Sequence, residues 1–278
     1  LLAGKKAGVP IRIAHSHSTS IDLDLKYILK QFFRSRILDV ANHCCACGEE
    51  AGKFLFGHET FQVIPNAIDV ERFCFDSDIR QMKRKELKIE DKFVVGHVGR
   101  FSYPKNHKFL INVFFEILKR EKNAILLLVG NGEKETEIKA QVDKLGIREQ
   151  VYFLGNRDDV CELYQAMDVF VLPSLFEGIP VVGIEAQFSD FPCVFSDKVP
   201  GEVKFAEDCQ FIDLGLSANN WAEQILSYRN HKRGLKDVSS DRYDMRYAHT
   251  ILEKYYYCLY NIISLGCRPD LYTLSDPP

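Results

Sequence analysis

The chain has 278 residues, of which 46% are hydrophobic and 27% charged, with a formal net charge of −3. That is the balance of a globular protein with room for one large or two modest cores, and it excludes a general nucleic-acid binder, which presents a basic face. No apolar run reaches the roughly 18 residues of a membrane-spanning helix, and Leu1-Leu2-Ala3-Gly4-Lys5-Lys6 is not followed by the apolar core of a signal peptide.

The first residues read as the middle of a domain. There is no initiator Met, and Lys5 to Pro10 reads as a helix end and turn entering a strand. Ile11 to His17 reads as that strand, running into a polar loop in which Ser18-Thr19-Ser20 offers helix caps. Asp22 to Val40 follows as a helix with apolar Leu25, Ile28, Leu29, Phe32, Phe33 and Leu38. Lys26, Lys30 and Arg34 stand at i, i+4 and i+8, one stripe of that helix. A solvated face is one reading of the stripe, and an interfacial helix meeting anionic lipid head groups is the other.

His43-Cys44-Cys45-Ala46-Cys47 is the densest part of an odd set of 9 cysteines. It lacks a second ligand pair at zinc-like spacing and reads as a small-residue buried strand, with free thiols that suit a reducing cytoplasm. Gly48 to Gly57 reads as a short helix closed by Gly57, Phe61 to Ile64 as a strand, and Pro65-Asn66-Ala67-Ile68-Asp69 as a turn. Residues 69–91 read as a charged linker with a short helix around Ile79 to Leu87.

A second pattern then begins. Strands are expected at Phe93 to Val98, Ala124 to Val129, Val151 to Leu154, Val169 to Leu172 and Cys193 to Phe195. Helices between them are expected at His107 to Arg120, Glu133 to Leu145 and up to Ala166. This alternation predicts an α/β fold with a doubly wound parallel sheet, whose ligands bind beyond the carboxyl ends of the strands. Gly99-Arg100, Gly130-Asn131-Gly132, Gly155-Asn156 and Ser174 to Gly178 all fall at those ends. Beyond Pro200 the pattern weakens to a helix at Trp221 to Arg229, a long Tyr-rich helix at Asp241 to Leu265, and a tail, Cys267 to Pro278, expected to be disordered.

The stretch Ser174 to Ala186 organises the rest. Pro173 and Gly178-Ile179-Pro180 make a loop after a buried strand, and Pro180 suits the first turn of a helix. Free N–H groups at such a helix start can meet a phosphate, and the flanking carboxylates Glu177 and Glu185 can take sugar hydroxyls. Glu185 lies in the apolar run Val181 to Ala186, where a carboxylate without partners would be costly. Arg100 and Lys105, after the first strand, suit a diphosphate: one offers a planar fork, the other a point charge. Gly130-Asn131-Gly132 alone is weak, since position 135 is Glu and completes no dinucleotide fingerprint; no P-loop is present either.

Glu177-x7-Glu185, with Gly178 and Pro180 after the first Glu, resembles the signature of GT-B-fold retaining glycosyltransferases of the group 1 type, family 4. The resemblance covers most of residues 11–205 in order. It implies a GT-B fold with residues 1–68 as the remnant of an N-terminal, acceptor-side Rossmann-like domain that lacks roughly 90 residues of its first strands and helices. Residues 92–230 would be the donor-binding Rossmann-like domain, and residues 231–278 a helix returning to the N-terminal domain, with the tail. The family's turn Pro-Asn-Gly-Ile-Asp has Ala67 at its Gly position here, which would be strained if that position needs positive φ.

The resemblance also implies a reaction: transfer of a sugar from a nucleotide diphosphate to an acceptor hydroxyl, with retention, without a metal. Arg100 and Lys105 would hold the diphosphate. Glu177, Gly178, Ile179, Pro180 and Val181 would line the sugar side, Glu185 the ribose, and Gly130, Asn131 and Arg157 the rest of the donor. A His after the first strand would touch the transferred sugar; His17 is chosen and His15 stays open. The catalytic set is thus His17, Glu177, Arg100 and Lys105. A UDP-sugar is favoured over a GDP-sugar, and the acceptor would be a sugar or lipid-linked glycan. Arg12 to His17, Gly155 to Val160 and Ser189 to Val199 resemble members that build capsular or exopolysaccharide units. That places the protein in the cytoplasm, at the inner face of the membrane on the interfacial-helix reading. The alternatives are a truncated nucleotide-sugar-binding module without turnover and a GT-B nucleotide-sugar epimerase.

Overall fold

The computed structural model describes residues 1–21, 27–234 and 239–265. The expected helix start at Asp22 to Lys26, with the first lysine of the basic stripe, and the expected disorder of Cys267 to Pro278 lie outside the described residues. The chain forms two compact units, one of residues 1–68 with 241–278, the other of residues 69–240.

In the first unit, α1 (Leu2–Lys6), β1 (Ile13–Ser16), α2 (Tyr27–Ser35), α3 (Ile37–Val40), β2 (His43–Ala46), α4 (Glu49–Phe56) and β3 (Gln62–Val63) follow in order. The strands form a parallel sheet in the order β1-β2-β3. The helix expected to run unbroken to Val40 stops at Ser35 and restarts at Ile37. Cys45 and Cys47 are buried, as a small-residue strand requires. Gly57 ends α4 with a φ of 67°. Ala67 is absent from the left-handed residues, so its replacement of Gly costs no strain there.

The second unit runs α5 (Ser77–Leu87), β4 (Phe93–Val98), α6 (His107–Arg120), β5 (Ala124–Val129), α7 (Glu135–Leu145), β6 (Val151–Gly155), α8 (Val160–Ala166), β7 (Val169–Leu172), α9 (Val181–Phe188), β8 (Cys193–Ser196), β9 (Cys209–Ile212) and α10 (Ala218–Leu226). All its strands pair in parallel, in the order β6-β5-β4-β7-β8-β9. Every residue of β4, β5 and β7 is buried, as expected for strands covered by helices on both faces. The chain winds outward from β4 through β5 to β6, then returns to pair β7 on the other side of β4. The carboxyl ends of β4 and β7 therefore flank a topological switch point.

Residues 69–91, read above as a linker, belong to this second unit. Lys83 and Arg84 of α5 are buried, and Arg84 donates to the Ala166 carbonyl at 2.8 Å. The strand β9 was not anticipated. The last helix, α11 (Met245–Leu265), belongs to the first unit, where Ile68 N–H donates to the Tyr243 carbonyl at 2.9 Å and Leu259 is buried.

Candidate functional site

Three strand-end loops of the second unit close around one cavity of about 380 Å³. Its walls include Gly99 and Arg100 after β4, Gly130, Asn131 and Gly132 after β5, and Asn156 and Arg157 after β6. The loops are stitched together by backbone: Gly130 N–H donates to Gly155 O (2.8 Å), Phe101 N–H to Asn131 O (2.8 Å), and Lys134 N–H to Phe101 O (2.9 Å). The two glycines of the Gly-Asn-Gly turn are required by this closeness. A Cβ on Gly130 would stand 2.3 Å from the Gly99 carbonyl oxygen, and one on Gly132 would stand 2.5 Å from that of Phe101. The motif that carried little weight in the sequence is therefore the seam between two loops.

Arg100 reaches out with 73% of its side chain exposed and has Glu133 at 3.2 Å. Arg157 is held at the opposite wall. Its Nε and Nη2 donate to Asp159 at 2.7 and 2.6 Å, and Asp159 also accepts from buried Lys83 at 2.9 Å. Burial alone would lower the Lys83 ammonium, but Glu162, Glu86 and Asp159 together raise it. The hydrogen bonds from Arg157, and then Lys83, hold Asp159 well below the usual carboxylate range despite its burial.

The organising loop lies at the end of β7. Lys105 Nζ donates to Glu177 Oε1 at 2.7 Å, and Ser174 Oγ donates to the same oxygen at 2.7 Å. Both charged side chains are largely buried. The Lys105 loop is tied down by Asn106 Nδ2 on the Pro173 carbonyl (3.1 Å) and by Leu175 N–H on the Pro104 carbonyl (2.7 Å). Asn106 takes a left-handed conformation, φ 53°, to start α6 at His107. Gly178, Ile179 and Pro180 are buried and lead into α9, and Val181 at its first position is exposed.

Glu185 sits one turn inside α9 and accepts from the Tyr164 hydroxyl at 2.9 Å. Burial pushes its carboxyl above the usual carboxylate range; the Tyr164 hydroxyl and the Arg72 guanidinium oppose that shift. The apolar run around Glu185 signalled a partnered carboxylate, but Tyr164, 21 residues away, carried no sequence signal. The bond from Ser174 to Glu177 is a side-chain contact within a loop and carried no sequence signal.

Arg100, Gly130, Asn131 and Arg157 thus share one cavity, and Lys105 pairs with Glu177. His15 and His17 belong to the first unit, where both are exposed at the end of β1 with ring centroids 4.2 Å apart. Partial desolvation of the ring, and then the neighbouring His17, lower the His15 imidazole below its ordinary value.

Residues 78–237 match the family described as glycosyl transferases group 1. The putative glycosyltransferase EpsF of Bacillus subtilis is 38% identical over 234 residues, which are 81% of this chain and 61% of that protein. A UDP-Gal:α-D-GlcNAc-diphosphoundecaprenol α-1,3-galactosyltransferase of Escherichia coli is 34% identical over 140 residues, 49% of this chain and 36% of that one. The chain spans less than two thirds of the length of either relative. Among solved structures, Anabaena HepE in complex with UDP and glucose superposes with a TM-score of 0.77 at 21% identity, over 92% of this chain and 73% of HepE. The expected α/β fold of GT-B type is thereby met.

Proposed function

Because the chain belongs to the group 1 glycosyltransferases, we propose that its second unit binds a nucleotide-sugar and that the protein transfers the sugar to a glycan acceptor in polysaccharide biosynthesis, with retention at the anomeric carbon. The observation that carries this reading is the single cavity built by the loops after β4, β5 and β6, with Arg100 at one wall and Arg157 at the other. The leaving group is a nucleoside diphosphate, so the chemical demand is stabilisation of developing negative charge. Arg100, Lys105 and the N-terminus of α9 supply it. Glu177 takes hydroxyls of the transferred sugar, Glu185 takes the ribose, and Gly178 to Val181 let the backbone approach the donor.

A UDP-sugar and a lipid-linked acceptor are the favoured substrates, and the E. coli relative, whose name specifies both, supports that choice. Of the two units, the first would form the acceptor side and the second the donor side; residues 231–240, expected with the last helix, group with the second.

Titration of the chain with UDP and GDP tests the reading. UDP is expected to bind more tightly, and Arg100→Ala and Glu185→Ala are each expected to weaken it by about 1.5–3 kcal/mol, the scale of hydrogen bonds to charged groups. EDTA is expected to leave the isotherm unchanged, since the two cations take the role of a divalent ion. Binding by neither nucleotide to the folded chain would sink the proposal.

Glu185 adds a pH signature. Its folded pKa is raised, so its contribution to stability is present below the unfolded value and is lost as pH rises through the folded one. Ribose hydroxyls donate to the ionised form. Nucleotide affinity should therefore rise with pH across a window starting above the ordinary carboxylate range of about 4.3. Comparing UDP affinity of wild type and Glu185→Gln cancels the titration of the phosphate itself, and parallel profiles for the two proteins would rule the idea out.

We also place α2 against the inner face of the membrane. Ile28 is 82% exposed and Phe33 62%, with Lys30 beside them. The described helices include none long and apolar enough to cross a bilayer, so contact would be peripheral. Co-sedimentation with vesicles containing anionic lipid, lost in Ile28→Ser/Phe33→Ser, is the expected result; equal sedimentation of both proteins contradicts it.

A further inference from the structure

Two buried histidines close in the chain to Arg100 and Lys105 take no part in donor binding as proposed. His97 lies in β4, two residues before Gly99, and is fully buried; His107 opens α6, two residues after Lys105, and is 2% exposed. His97 Nδ1 stands 2.8 Å from the Val171 carbonyl oxygen on β7. A carbonyl only accepts, so Nδ1 carries the proton and Nε2 presents a lone pair. That Nε2 has no hydrogen-bond partner, and neither nitrogen of His107 has one. Buried orphan nitrogens are costly, and a chain that keeps three together next to its anion site calls for an explanation.

The rings are placed to shape the two cationic positions. The His107 ring stacks on Phe101, centroids 4.2 Å apart at 17°, and meets His97 edge-on at 4.5 Å and 76°. Phe101 follows Arg100 directly in the chain. On the other side, a Cβ added at Gly99 would stand 3.1 Å from His97 Nε2 and 3.4 Å from both Cδ and Cε of Lys105. The Lys105 stem therefore lies over the bare Gly99 against the same point that the His97 ring approaches. The Nδ1–H bond to Val171 fixes His97 to the strand that launches the organising loop.

We propose that His97 and His107 are positioning residues for a nucleoside diphosphate: a buried pair of flat rings that sets the Arg100 loop and the Lys105 stem at the height where the diphosphate meets them. This rests on the reading of the cavity as a donor site. Neutrality matters here because Lys105 is the cation that acts on both rings. Burial holds His97 down at about 4, and burial together with His97 and Lys105 holds His107 down at about 2, so neither ring competes with the lysine for the anion near neutral pH.

The test titrates the full chain with UDP and with uridine. His107→Ala is expected to weaken UDP about tenfold or more and to leave uridine within about twofold, because only the diphosphate contacts depend on the pair. His107→Phe keeps the flat ring and should restore UDP affinity to within about threefold. In a Lys105→Ala background, His107→Ala should cost much less than it does alone, since much of its effect passes through the lysine. Equal losses for UDP and uridine, or no rescue by a folded His107→Phe, overturn the proposal. If His107→Ala does not fold, His107→Leu, which fills the space without a flat ring, replaces it under the same criteria. A wild type that binds UDP while the variants behave alike rejects the histidine pair alone; a wild type that binds neither probe rejects the donor reading itself.

Discussion

Asp168→Ala is expected to lower the free energy of unfolding by about 3–5 kcal/mol, the cost of removing the carboxylate that buried Arg84 shares with Arg80. Asp168 stands just before β7 and accepts from Val94 N–H at 2.7 Å and from Arg84 at 3.2 Å through both oxygens, and it pairs with Arg80. Arg80 and Arg84, together with Arg233, hold the end of α8. Arg80 donates to the carbonyls of Gln165 (2.7 Å) and Met167 (2.8 Å), Arg84 to that of Ala166, and Arg233 to those of Gln165 (2.8 Å) and Met167 (2.9 Å). Three guanidiniums satisfy the last turn of one helix, where the backbone dipole is negative. Burial lowers the Arg84 guanidinium while Asp168 opposes that shift, and burial brings Arg233 down to about 9. Without Asp168 the cluster keeps its burial and loses the carboxylate that Arg80 and Arg84 pair with. Urea unfolding measures the effect, and a loss below about 1 kcal/mol would show the cluster to be solvent-compensated.

Gly130→Ala is the second large effect, expected to cost about 2–6 kcal/mol. Two terms add: a side chain forced to a φ of 127°, at about 1–3 kcal/mol, and overpacking of similar size against the Gly99 carbonyl. The atom in the way is backbone and cannot swing aside. Because that backbone carries Arg100, UDP binding should fall with stability. Gly146→Ala is the matched control: φ is 68° but no atom lies within 4 Å of the added methyl, so a loss of about 1 kcal/mol and unchanged binding are expected. Similar outcomes for the two glycines would refute the close-approach argument.

The sheet was legible because its central strands are unbroken apolar runs and its helices carry one apolar face. Ala124–Val129, His107–Arg120 and Val169–Leu172 fall where periodicity placed them. The loops at the strand ends were legible for the same reason, since Gly, Asn and Pro punctuate them. What escaped the sequence was pairing at a distance. Arg80, Lys83 and Arg84 fall in the stretch read as a charged linker with a short helix, and their partners Asp168, Asp159 and the end of α8 lie some 76 to 88 residues away. β9 escaped because Cys209–Ile212 is short and mixes Gln with apolar residues. His97 and His107 looked like an ordinary core residue and a helix start, and only the ring geometry joins them.

The winding of the second unit also sets the order in which its parts can come together during synthesis. Every residue lining the cavity lies between Val98 and Val160, in one uninterrupted stretch spanning β4, β5 and β6. The Lys105–Glu177 contact instead closes a separation of 72 residues and needs β7 paired on the far side of β4. Loop closure grows costlier with length, and distant parallel pairings come late in folding. The cavity wall is therefore written in contacts of shorter separation that a growing chain can make first, and the Lys105–Glu177 contact follows only when the sheet turns back on itself.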